Sequence, residues 1–95
     1  MAEILVVSVF VEGRVQRVGY RVWTVRQATE LGLQGWVRNL QDGRVEMLLV
    51  GPSDIVEVMI ERAHRGPEKA QVDRLSRSPV AAVPDLTGFA QWPTV

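Results

Sequence analysis

Asp42-Gly43 stands between two runs that both read as strands, Leu33–Asn39 (LQGWVRN) and Arg44–Val50 (RVEMLLV). An Asp-Gly pair adopts the backbone angles of a tight hairpin turn more readily than almost any other dipeptide. The segment Leu40-Gln41-Asp42-Gly43 therefore predicts a β-hairpin in the middle of the chain. In its second arm Val45, Met47 and Leu49 alternate with Arg44, Glu46 and Leu48, so one face is buried. Whatever precedes and follows must be built around this pair of strands.

Ile4–Val11 (ILVVSVFV) is short, apolar on both faces and rich in β-branched residues, which predicts a central strand ending at Glu12-Gly13-Arg14. Arg21–Leu31 predicts a helix with Val22, Val25, Ala28 and Leu31 on its apolar stripe. Beyond the hairpin, Gly51-Pro52-Ser53-Asp54 opens a second helix, with Ser53 or Asp54 available as a cap. Ile55, Val56, Met59, Ile60 and Ala63 form its apolar face, and Gly66-Pro67 stops it. Lys69–Ser78 reads as a strand in which Ala70 and Val72 keep period two but Leu75 breaks phase, the mark of a bulge. Gly88–Trp92 adds a short edge strand. The order β-α-β-β-α-β predicts an α+β, ferredoxin-like sandwich: two helices on one face of a four- to five-stranded antiparallel sheet. With 95 residues the chain is read as one domain, 1–95. This fold hosts many activities and names none.

Composition narrows the choice. Eleven cations balance eleven acids, and non-specific nucleic-acid binding runs on excess Lys and Arg. There is no cysteine and only one histidine, His64, so thiolate chemistry and Cys- or His-cluster metal sites are excluded. No apolar run approaches the ~20 residues that span a bilayer, and the N-terminus lacks a signal-peptide pattern. The expectation is a cytoplasmic monomer with neither a membrane nor a nucleic-acid partner.

The segment Gly13–Arg21, GRVQRVGYR, lies where the first strand passes to the first helix and carries three arginines. A helix start offers free N–H donors and about half a positive charge, and a preceding loop can turn further N–H groups inward. Arg21 adds a guanidinium fork suited to a phosphoryl or carboxylate group, while Gly13 and Gly19 permit unusual backbone angles. Spacing alone leaves two readings open, an anion site and a solvated turn.

The segment resembles the first signature of the acylphosphatase family, Gly-x-Val-Gln-Gly-Val-x-Phe/Tyr-Arg, at Gly13, Val15, Gln16, Val18, Tyr20 and Arg21. The family's second signature is met at every fixed position: Gly35-Trp36-Val37-Arg38-Asn39, then Gly43-Arg44-Val45, then Gly51. The resemblance covers residues 4–92. It implies hydrolysis of the carboxyl–phosphate bond of a small-molecule acyl phosphate, without metal or cofactor. It implies a phosphate-binding loop of Val15, Gln16, Arg17, Val18, Gly19 and Tyr20, able to hold inorganic phosphate or a similar anion. It also implies that Arg21 binds the phosphoryl group and that Asn39 positions the attacking water. Arg17 departs from the pattern, which commonly has glycine there.

Other readings stand beside these. A non-catalytic module of the same fold, binding a phosphorylated or carbamoylated ligand, is the alternative function. An RNA-binding sheet ranks below it, because Phe10 is the one aromatic in the inner runs VVSVF and VEMLLV. Tyr20, Trp23, Trp36 and Trp92 read as packing residues. Gln16 reads equally as a loop brace or as an exposed side chain. Glu57 and Glu61 read as a solvated helix face.

Overall fold

Alternation places the inner valines of the first strand. The computed structural model describes residues 3–95, so Met1 and Ala2 of the 1–95 domain lie outside the described residues. In strand β1 (Ile4–Arg14), Val7, Val9 and Val11 point into the core, while Ser8 and Phe10 point the other way. The chain continues through helix α1 (Tyr20–Glu30), β2 (Gln34–Asn39), β3 (Val45–Pro52), α2 (Ser53–Arg65), β4 (Gln71–Pro79) and β5 (Phe89–Gln91).

The hairpin forms as expected, with β2 and β3 antiparallel and Asn39 opposite Val45. Asp42 fixes its turn by accepting from the Arg44 backbone N–H at 3.0 Å and from the Arg44 side chain at 2.9 Å. These contacts, the backbone one foremost, hold its carboxyl below the usual carboxylate range. On the inner face, Val37, Val45, Met47 and Leu49 meet Val56, Met59 and Ala63 of α2 in one cluster. Each such aliphatic side chain contributes about 1.5–3 kcal/mol relative to staying in water.

The strand order is β4-β1-β3-β2-β5. Four strands are antiparallel, but β5 runs parallel to β2, so the sheet is mixed rather than wholly antiparallel. Topology gives the reason. Residues 80–88 carry the chain from β4 at one edge to β2 at the other, and β2 runs opposite to β4. A strand returning from the end where β4 finished must therefore run with β2.

Several local expectations shift. β1 persists to Arg14, and the register slips between Glu12 and Gly13, leaving Asp73 of β4 as the extra residue. That is the bulge implied by the phase break between Val72 and Leu75. Gly13 is required there, because a Cβ on it would collide with the Gln71 carbonyl. In α1 the buried row is Tyr20, Thr24 and Ala28, whereas Val22 is 48% exposed. The Thr24 hydroxyl donates to the Tyr20 carbonyl at 2.8 Å, so a polar residue sits in the core with its hydrogen bond made. Neither Ser53 nor Asp54 caps α2 through its side chain; the Ser53 N–H donates instead to the Glu3 carbonyl at 2.8 Å. Glu57 is not simply solvated, since it takes both Arg77 guanidinium nitrogens, at 2.6 and 2.7 Å.

Trp36 and Trp92, read from the sequence as packing residues, pack on each other. Their rings stack at 4.4 Å and 9° on the face of the sheet away from Val37 and the helices. The parallel pairing of β5 brings Trp92 there, and its N–H donates to the Val37 carbonyl at 2.8 Å. The tail then continues beside β2, with the Val95 N–H on the Asn39 carbonyl at 3.1 Å and the Gln41 N–H on the Val95 carbonyl at 2.8 Å.

Candidate active site

β1, α1 and β2 converge at one end of the sheet, and a cleft of about 120 Å³ opens between them. Val15, Arg17, Gly19, Tyr20, Arg21, Val22, Asn39 and Gln91 line it. Six of the eight residues singled out in the sequence are thus brought together: Val15, Arg17, Gly19, Tyr20, Arg21 and Asn39. Gln16 and Val18 do not line the cleft.

The floor is fixed by burial. Val15 is buried in the core and packs the loop against it. Val18 is half-buried and packs on the same cluster. Tyr20 is only 1% exposed, and its hydroxyl donates to the Ala63 carbonyl at 2.6 Å. Burial pushes its phenol well above the ordinary tyrosine value, so it stays protonated. Its ring meets Trp23 edge-on at 5.4 Å. Tyr20 therefore ties α1 to α2.

Gln16 resolves as a brace. Its Nε2 donates to the Leu40 carbonyl at 2.7 Å and to the Arg44 carbonyl at 2.9 Å. One side chain so locks the loop to the two ends of the hairpin turn. The distance between the loop and Asn39 is set through this link.

The cleft is electropositive at its helix end. Gly19 is the N-cap of α1, with φ 79°, and provides no side-chain cap. No acidic residue occupies the first turn, which instead holds Arg21. A cation at a helix start opposes the helix dipole unless an anion sits between them. Among the described residues, no backbone carbonyl accepts from the N–H groups of residues 16–22. Arg21 is half-buried, and its Nη1 donates to the Trp92 carbonyl at 3.2 Å. This contact lies 71 residues away in sequence and had no signal there. Gln91, the last residue of β5, was likewise not foreseen as a lining residue.

Arg17 turns the loop with φ 63°, the one positive φ on a non-glycine residue among those described. A residue other than glycine in this left-handed conformation carries a cost of about 1–2 kcal/mol. Gly19 does not relieve it, because both residues adopt left-handed angles.

Asn39 closes the other side as the last residue of β2. Its Oδ1 is buried without a hydrogen-bond partner, alone in this among the buried side-chain polar atoms of the described residues. An unpaired buried acceptor costs about 1–3 kcal/mol. Asn39 lines the cleft together with Arg21, and its amide oxygen is an acceptor whose hydrogen bond is still to be made. An oxyanion suits Arg21 and the free N–H groups, and a molecule with a proton to donate suits Asn39.

Comparison with known proteins shows which family the chain resembles. The acylphosphatase family profile matches residues 7–91. An acylphosphatase of Nitrobacter hamburgensis is 46% identical over 93 residues, covering 93% of this chain and 94% of that one. An acylphosphatase of Rhodospirillum rubrum is 52% identical over 85 residues, covering 90% of this chain and 92% of that one. The crystal structure of an acylphosphatase from Bacillus subtilis superposes with a TM-score of 0.90 at 32% identity, covering 93% of this chain and 98% of that one.

Proposed function

This chain belongs to the acylphosphatase family, and we propose that the cleft between Arg21 and Asn39 is where it hydrolyses acyl phosphates to a carboxylate and inorganic phosphate. The observation that carries the assignment of the site is the unpartnered Oδ1 of Asn39, a residue that lines the same cleft as Arg21 and an uncapped helix start.

In this reading Arg21 and the N–H groups of the loop and first helical turn hold the phosphoryl oxygens. Phosphoryl transfer asks chiefly for such positioning and charge stabilisation. Asn39 Oδ1 accepts a hydrogen bond from a water and aims its lone pair at phosphorus. The new P–O bond forms as the bond to the carboxyl oxygen breaks, and the carboxylate leaves with that electron pair. A proton from the water passes to a phosphoryl oxygen, giving inorganic phosphate. A neutral amide orients the water without removing its proton. The leaving carboxylate is a weak base and requires no acid, so the hydroxyl of Tyr20 can remain committed to Ala63.

A single domain, 1–95, acting as a monomer belongs to the proposal. No helix among the described residues is long and apolar enough to cross a membrane. A cytoplasmic location belongs to the proposal. No nucleic-acid partner is part of it: the net charge is zero, and Trp36 and Trp92 stack on each other rather than presenting two free faces.

The experiment is hydrolysis of benzoyl phosphate in ¹⁸O-water with chelator present. The expected result is turnover well above buffer, with one label in the released phosphate. No turnover, or label in the benzoate, contradicts the reading.

A further inference from the structure

We propose that Arg17 selects acyl phosphates whose acyl group carries a negative charge of its own, an inference that rests on the cleft being the site of acyl-phosphate hydrolysis.

The size of the cleft sets the problem. Its volume of about 120 Å³ is somewhat below that of a cavity of ~150 Å³ that holds one benzene. That suits a phosphoryl group and its attacking water. The acyl group must project beyond the rim, so the rim is what meets it. There the exposed lining residues are Arg17, Gly19, Val22 and Gln91. Arg17 is the only charged group among them, and no carboxylate lines the cleft to repel an anion.

The two guanidiniums of the cleft are held differently. Arg21 is half-buried and hydrogen-bonded to the Trp92 carbonyl. Arg17 is exposed and takes part in none of the ion pairs or side-chain hydrogen bonds among the described residues. It is an uncommitted cation at the mouth of the site. It also stands in a left-handed conformation that L side chains avoid. Such outliers persist where the surroundings enforce them and gather at ligand sites. Glycine serves that backbone angle better, so the conformation does not account for the arginine; its charge does. A planar guanidinium is matched to a carboxylate or a second phosphate, and not to a neutral acyl chain.

The test compares benzoyl phosphate with 4-carboxybenzoyl phosphate, read as the ratio of their kcat/KM values within each enzyme form. Taking the ratio cancels any general effect of residue 17 on the loop. The wild-type chain is expected to favour the carboxylated substrate at low ionic strength. Arg17→Gly is expected to lower the ratio by about fivefold, as for an exposed ion pair. Arg17→Lys should keep most of the preference, and Arg17→Glu should take the ratio below that of the glycine variant. Added salt should shrink the wild-type preference as the screening length falls to about 8 Å at 0.15 M. Equal ratios in all four forms, with both substrates turned over, overturn the proposal and leave the hydrolytic reading standing. That is also the outcome if Arg17 grips the phosphoryl group itself, since both substrates then lose alike. Failure of the wild-type chain to hydrolyse either substrate overturns the hydrolytic reading, and this proposal with it.

Discussion

Arg21 donates from Nη1 to the carbonyl oxygen of Trp92 at 3.2 Å, so one of the two cationic residues of the cleft is steadied by the tail of the chain. Trp92 is in turn held by its stack on Trp36 and by its N–H on the Val37 carbonyl. An aromatic pair of this kind adds about 0.5–1.5 kcal/mol beyond burial. Trp36→Ala and Trp92→Ala are each expected to raise KM several-fold and weaken inhibition by inorganic phosphate, with a smaller effect on kcat. The double variant should be little worse than either single one, because both break the same stack. Steady-state kinetics beside thermal melts checks this. Loss of stability with an unchanged KM would show the stack to be structural only.

Gln16 does its work at the far side of the loop. Its amide serves two carbonyls, Leu40 and Arg44, which bracket the hairpin turn after Asn39. Each carbonyl keeps a backbone donor, Gly43 N–H on Leu40 and Leu40 N–H on Arg44, so Gln16→Ala is expected to cost about 1–3 kcal/mol as two hydrogen bonds of ~0.5–1.5 kcal/mol each, and to lower kcat because the loop and Asn39 lose their common anchor. Gln16→Glu should be worse in both respects, since an ionised carboxylate cannot donate. Urea unfolding and single-turnover rates give the comparison.

At Arg17 the backbone itself can be tested. Glycine at φ 63° removes a cost of about 1–2 kcal/mol, offset by roughly 0.5–1 kcal/mol of extra freedom in the unfolded chain. Arg17→Gly is therefore expected to stabilise the fold by up to about 1 kcal/mol in urea titrations. A destabilised variant would mean that the Arg17 side chain contributes more to the fold than its angle costs.

The pair Glu57–Arg77 gives a pH dependence remote from the cleft. Hydrogen bonding to Arg77 comes first among the causes that hold the Glu57 carboxyl below its ordinary range. A depressed folded value means that the stabilisation is present above the unfolded value, about 4.3, and is lost as pH falls through the lower folded one. The urea midpoints of wild type and Arg77→Ala should thus differ at pH 7 and converge below pH ~4. A gap that stays constant down to pH ~2 contradicts the assignment.

The element order, the hairpin, the apolar face of α2 and the bulge in β4 were legible because each follows from local periodicity or turn chemistry. What was not legible depends on contacts distant in sequence. The parallel direction of β5 follows from where the 80–88 crossover returns, and no residue in the strand signals it. The Trp36–Trp92 stack and the Arg21–Trp92 hydrogen bond depend on that crossover in turn. In α1 Val25, Ala28 and Leu31 of the expected stripe pack on the core and Val22 does not, because Thr24 satisfies its hydroxyl on the preceding turn and is buried in its place. At the site, the loop and the two signatures supplied the residues. The structure added the unpartnered Oδ1 of Asn39, which a sequence cannot display because burial and pairing are properties of the folded chain.

The central claim is a division of labour in which Arg21 binds the phosphoryl group and Asn39 orients the water. It is tested most directly by measuring the affinity for inorganic phosphate and the kcat on benzoyl phosphate in Arg21→Ala and Asn39→Ala, with folding confirmed for both. Asn39→Ala is expected to bind phosphate nearly as wild type while losing about 100-fold or more in kcat; Arg21→Ala should lose both, since each removes a preorganised transition-state contact. Asn39→Ala turning over at the wild-type rate would contradict the account.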